Sequence, residues 1–173
     1  VGVCFLLLVA GIDTTWSSIG SALWHFGVTP DDRRRMYAEP ELFPTAVEEL
    51  LRYYSPVVMA RRVMDPIKFG EVEMAPGAKV VMNFPAANRD PEAFDRPDEV
   101  VLDRARNCHI AFGVGIHRCA GSNLARMEMD VALRVWFERS GDFEVSEPEA
   151  VRWAGGHGRG PRIVPMLVAA KAG

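Results

Sequence analysis

The chain lacks a charge excess, paired cysteines and internal repeats, and each absence removes a class of protein. Its net charge is −3, with acidic and basic residues interspersed, so no basic patch is available for nucleic acid. The three cysteines have no paired spacing, which argues against a disulfide framework and for a reducing compartment. The apolar stretch at residues 1–9 is shorter than the roughly 20 residues of a membrane span, and no basic flank marks a signal peptide. No membrane segment is therefore expected. What is present is an ordinary globular composition: 173 residues, 49% hydrophobic and 25% charged, enough for a sizeable core in one domain.

Periodicity predicts a mainly α chain with a small β-sheet. An opening helix reaches about residue 26. Thr29, Pro30, Asp31 and Asp32 read as a cap, a first-turn proline and two acids that start a second helix. Over residues 44–54, Val47, Leu50, Leu51 and Tyr54 form an apolar stripe. Strands are predicted over 57–64, 67–69, 72–74 and 79–84, with a turn at Pro76-Gly77. A last helix is expected to end near residue 139, with Leu124, Met127, Val131 and Val135 on one line and Trp136 and Phe137 widening the buried face. A Gly/Pro-rich tail closes in a strand-like segment at 163–168.

Ten residues, 112–121, carry the clearest chemical signal. Gly113 and Gly115 permit backbone angles that side chains forbid, and Gly121 leaves the surface beside Cys119 bare. Cys119 stands just ahead of a helix whose positive end favours a thiolate. A soft anionic ligand beside a bare surface suits haem iron. Two other readings stand beside it: an inert core thiol, and a zinc site from Cys108, His109, His117 and Cys119, whose spacings do not match the usual pairs.

Three further clusters accompany the loop. Ala10, Gly11, Asp13 and Thr14 lie in the first helix, where a buried acid and hydroxyl are costly unless satisfied; a threonine bonded back to its own helix, with Asp13 at a polar edge, would meet that cost. Glu49 and Arg52, three apart, share one helix face and read in isolation as a solvated pair. Arg61 and Arg62 fall in a predicted strand, where alternation turns only one of them inward.

Together these motifs resemble the cytochrome P450 family of haem-thiolate monooxygenases. Phe112, Gly115, His117, Cys119 and Gly121 meet every fixed position of the family's ligand-loop pattern F-x-x-G-x-[HR]-x-C-x-G. The resemblance implies haem b with Cys119 as its axial thiolate, in a loop shaped by Phe112, Gly113 and Gly121. It implies that Asp13 and Thr14 pass protons to bound dioxygen at a widened helix turn. Arg62, His109 and His117 would hold the haem propionates. Ala10, Gly11, Val57, Val58 and the turn near Gly155 and Gly156 would face a small hydrophobic substrate. Glu49 and Arg52 would be the buried structural E-x-x-R pair. Glu99 stands where many members carry the pair's arginine partner, so that partner is left between Arg104 and Arg106.

A ferredoxin or flavodoxin would supply electrons, docking near Arg118, and the protein would be cytoplasmic. Residues 1–173 would be the C-terminal haem-binding portion of a single domain whose N-terminal part is absent by truncation, inactive as a fragment. A peroxide-dependent or rearranging haem-thiolate enzyme, and an incomplete haem-binding module without turnover, are the alternatives.

Overall fold

An unbroken helix, α1 (Gly2–Val28), opens the chain in the computed structural model, which describes residues 2–156 and 158–170. Val1, the first residue of the apolar stretch, lies outside the described residues. The two halves of α1 differ. Its second half buries Ser17, Ser18, Ser21, Ala22, His25 and Phe26. Its first half stands open, with Val3, Phe5, Leu6, Leu7, Leu8 and Trp16 exposed. By length and composition α1 can cross a membrane, which the count over residues 1–9 missed because the window that qualifies extends past them. Nor is α1 visibly widened near Gly11; the local feature is the Thr14 hydroxyl donating to the Ala10 carbonyl at 2.7 Å.

Helix α2 (Pro30–Ala38) starts on the proline as expected, although Thr29 makes no side-chain cap. Asp32 instead accepts from His25 at 2.7 Å, while the other ring nitrogen of His25 meets the Tyr54 hydroxyl at 2.9 Å. Helix α3 (Phe43–Tyr54) turns its stripe of Val47, Leu50 and Leu51 into the core. It is followed by the strands β1 (Met59–Arg62), β2 (Ile67–Phe69), β3 (Val72–Met74) and β4 (Lys79–Met82), the short helix α4 (Phe84–Ala87), a long irregular segment and helix α5 (Ser122–Arg139). Strands β5 (Phe143–Val145), β6 (Trp153–Ala154), β7 (Gly160–Pro161) and β8 (Met166–Val168) complete the order.

The β content is divided among antiparallel pairs, β1 with β4, β2 with β3, β5 with β8 and β6 with β7, where one small sheet was expected. Val57 lies outside β1 and bridges to Gly158 instead. On α5 the buried line is Met129, Leu133 and Phe137, whereas Leu124, Met127, Val131 and Val135 are 40% exposed or more. The helix is apolar on two sides, and α1 and α3 take the side the simple line of hydrophobes did not pick. Around Phe137 the rings of Phe26, Tyr37, Phe43 and Phe143 gather at centroid distances of 4.8–5.5 Å, joining α1, α2, α3, α5 and β5 in one core.

Strand β7 lies directly on α1. A Cβ built on Gly160 would sit 2.6 Å from Ser17 Cβ and 2.9 Å from its Cα. Gly160→Ala therefore forces backbone apart from backbone. We expect a loss of about 1–3 kcal/mol, read as a lower melting temperature; an unchanged value would show that the contact relaxes freely.

Candidate functional site

Gly113 and Gly115 both take left-handed backbone angles, φ +70° and +65°, which is why the loop needs glycine at these two positions. The reversal they allow returns the chain so that the Cys119 N–H donates to the Phe112 carbonyl at 2.9 Å. A short 3-10 turn over Gly115–His117 fills the space between, and α5 begins three residues after the cysteine, at Ser122. Cys119 is exposed, and a Cβ on Gly121 would meet only its Sγ, at 3.9 Å. The thiol thus faces open space beside a bare backbone. Among the described residues no group of three or more His, Cys, Asp and Glu side chains is placed to hold a metal ion, which removes the zinc alternative. One accessible thiol without a second protein ligand fits a metal that brings its own equatorial donors, as haem iron does.

Beneath the loop, α3 sends two neighbouring glutamates in different directions. Glu49 and Arg52 are both fully buried, so the pair is no solvated face. Arg52 uses all five of its N–H donors: two on Glu49 at 2.8 Å, and one each on the carbonyls of Asn88, Pro97 and Glu99 at 2.7–2.8 Å. Glu49 also accepts from Arg104 Nε at 2.9 Å, from the Val101 N–H at 2.8 Å and from Asn107 at 3.1 Å. Arg104 is therefore the third member of the network, and Glu99 contributes through its backbone. Burial alone would raise the Glu49 carboxyl, but the donors from Arg52, Arg104 and Val101 outweigh it and hold it below the usual range.

Glu48 faces the ligand loop. It accepts from His109 Nε2 at 2.9 Å and from Arg126 on α5 through Nε at 2.5 Å and Nη2 at 3.0 Å. The Arg126 guanidinium lies over the Phe112 ring, 4.5 Å from its centroid. Burial pushes the Glu48 carboxyl up and the His109 and Arg126 bonds pull it down, leaving it at about 2. Both ring nitrogens of His109 are engaged, since Nδ1 accepts the Ala111 N–H at 3.2 Å. His109, expected to hold a propionate, has no donor left for one. Asn88 secures the same segment: its side chain donates to Ser55 Oγ at 2.7 Å and accepts the Ile110 N–H at 2.8 Å.

The structure sets the two arginines of the pair on opposite faces of β1. In the β1–β4 register Arg61 faces Val80 and Arg62 faces Lys79. Arg61 is half-buried on the same face as Met59, while Arg62 is exposed and its guanidinium lies against the Gly77 turn. His117 and Arg118 are both exposed beside the cysteine. Val58 joins Gly155 and Gly156 in a groove of about 340 Å³ that Met59, Ala60, Val81 and Arg159 complete. Val57 does not line it. Asp13 is exposed, and a Cβ on Gly11 would meet nothing within 4 Å. Glu48, Arg126, Asn88 and Ser55 were missed in the sequence, because an acid pair on a helix reads as two solvated charges and their partners are distant along the chain.

Comparison with known proteins agrees with this geometry. The cytochrome P450 family profile matches residues 1–150. Cytochrome P450 107B1 of Saccharopolyspora erythraea is 39% identical over 156 residues, covering 88% of this chain and 38% of that protein. Mycinamicin IV hydroxylase/epoxidase of Micromonospora griseorubida is 36% identical over 166 residues, covering 93% and 42%. The solved structure of the polyketide synthase cytochrome P450 PksS of Bacillus subtilis superposes with a TM-score of 0.91 at 35% identity, over 95% of this chain and 44% of the other. The chain thus spans less than half the length of each of these relatives. Members of the family bind haem b through a cysteine thiolate. With its glycine-bent loop, its exposed Cys119 and its buried Glu49/Arg52/Arg104 network, the chain belongs to the cytochrome P450 family.

Proposed function

We propose that residues 1–173 form the C-terminal haem-binding portion of a single-domain haem-thiolate monooxygenase, which uses dioxygen to oxidise a small hydrophobic organic substrate in the cytoplasm. The observation that carries this reading is the exposed Cys119 thiol, its backbone N–H bonded to the Phe112 carbonyl. When bound, haem supplies the oxygen-activating redox chemistry, with the thiolate donating electron density to iron.

The residues of this chain set the conditions for that chemistry. Cys119 would hold the metal, and the bare backbone at Gly121 would let a flat group approach. Thr14 keeps a hydroxyl proton on Oγ1, parked on the Ala10 carbonyl at 2.7 Å and available for delivery. Asp13, exposed beside it, is the acid assigned to the proton path with that hydroxyl. His117 and Arg62 are the cations assigned to the propionates, Arg62 standing on the face of β1 that carries Ala60, which lines the groove with Val58 and Val81. Val58, Gly155 and Gly156 line the groove that receives an apolar substrate, with Ala10 and Gly11 on the exposed stretch of α1. A ferredoxin or flavodoxin delivers the electrons, and the exposed Arg118 offers it a positive contact.

The test uses the haem-loaded protein expressed from its complete coding sequence. Reduced and bound to carbon monoxide, it should show the red-shifted Soret band of a thiolate ligand, and its absence would refute the assignment of Cys119. In turnover, Thr14→Ala should lower the product formed per dioxygen consumed, by tenfold or more on the usual scale of proton-delivery effects (about 10²–10⁴). Unchanged coupling would count against the proton role.

A further inference from the structure

Two consecutive acids on α3 do different work. Glu49 closes a buried network with Arg52 and Arg104, whereas Glu48 joins three separate parts of the chain: α3 itself, His109 on the segment entering the ligand loop, and Arg126 on the helix leaving it. Each end of the loop is reached through a short series of contacts. On the entering side, His109 Nε2–H donates to Glu48, its Nδ1 accepts the Ala111 N–H, and Phe112, the next residue, offers its carbonyl to Cys119. On the leaving side, Arg126 donates to Glu48, covers the Phe112 ring at 4.5 Å and reaches the Ser122 carbonyl at 3.5 Å. The Ser122 N–H in turn bonds back to the Cys119 carbonyl at 3.4 Å. The His109 side chain is 2% exposed, so it has no bulk water to replace Glu48.

Glu48 also balances charge. The Arg126 guanidinium lies over the Phe112 ring of the loop, and its forked bond to Glu48 neutralises it there. We propose that Glu48 is a positioning residue for the Cys119 ligand, clamping the loop at Phe112 from both sides and setting, through Arg126, the charge that the metal centre experiences. This rests on the reading of Cys119 as the haem ligand.

Reduction adds one negative charge at a haem-thiolate centre, so an uncompensated cation nearby favours the reduced state. The experiment measures reduction potential, the reduced carbon-monoxide spectrum and thermal unfolding in the haem-loaded protein from its complete coding sequence. Glu48→Gln, which frees the Arg126 charge, should shift the potential positive and move part of the population out of the red-shifted band. Arg126→Gln should shift the potential negative. The double variant, neutral at both positions, should return towards the parent potential. A simple structural bridge would lower the melting temperature in the single variants and leave potential and band position at parental values, and that outcome overturns the proposal. If Glu48→Gln does not fold, Arg126→Gln and the double variant still decide it. A parent protein with no red-shifted band refutes the haem-ligand reading itself, and this assignment falls with it.

Discussion

Replacing Arg52 with leucine is expected to leave little soluble, folded protein. Its guanidinium spends five hydrogen bonds inside the molecule: a forked pair on Glu49, and three on the backbone carbonyls of Asn88, Pro97 and Glu99. Truncation leaves the Asn88 and Pro97 carbonyls without that donor, leaves the Glu99 carbonyl only a 3.5 Å bond from Arg104, and takes the forked partner from a fully buried carboxylate. Breaking a buried ion pair from one side costs about 3–5 kcal/mol, and each stranded buried acceptor adds about 1–3 kcal/mol. Against a total stability of about 5–15 kcal/mol, that sum reaches the threshold for global unfolding. Lysine is no substitute, since three donors on a flexible stem cannot serve five acceptors arranged around a plane. Soluble yield and denaturant midpoint are the measurements; a midpoint for Arg52→Leu near the parent value would mean the network is dispensable.

Cys119→Ser is expected to have the opposite profile, with function lost and stability kept. The cysteine side chain is exposed, and its place in the loop is set by a backbone bond that serine makes equally well. Surface changes of this kind fall within about ±0.5 kcal/mol, so the melting temperature of the haem-free protein should not move. The ligand chemistry should change completely, because a neutral hydroxyl replaces a soft anion. The red-shifted band of the reduced carbon-monoxide complex should disappear, along with dioxygen-dependent turnover. A serine variant that keeps that band would exclude Cys119 as the ligand, and the two substitutions together separate holding the fold from holding the metal.

The contrast follows what was readable in the sequence. The ligand loop was legible because its constraints are local: glycines at two left-handed positions, a cysteine, and a helix start, all within ten residues. The apolar stripe of α3 was legible for the same reason. Four matters were decided elsewhere. Strand alternation says that Arg61 and Arg62 point to opposite faces, but the neighbours each one meets depend on β4, where Arg61 pairs with Val80 and Arg62 with Lys79. Helix α5 carries hydrophobes along Leu124, Met127, Val131 and Val135 and also along Met129, Leu133 and Phe137, and a period of 3.6 cannot choose between two apolar faces. His109 stands three residues before Phe112, but its partner Glu48 comes from 61 residues away. Arg104 meets Glu49 across a separation of 55, which no spacing rule reports.

The ring of contacts around Phe112 makes the thiol-bearing loop non-portable. Its sequence is short, but the groups that shape it come from far along the chain: Glu48 lies 78 residues from Arg126, and Asn88 lies 22 residues from the Ile110 N–H it accepts. Closing such distances costs chain entropy that a short peptide has no packing to offset. A synthetic peptide of residues 105–140, or the same motif grafted onto an unrelated helix, would carry every fixed position of the pattern and still lack the Glu48 carboxylate that joins His109 to Arg126. The motif identifies the family by its letters, and it acquires its shape only in the company of α3.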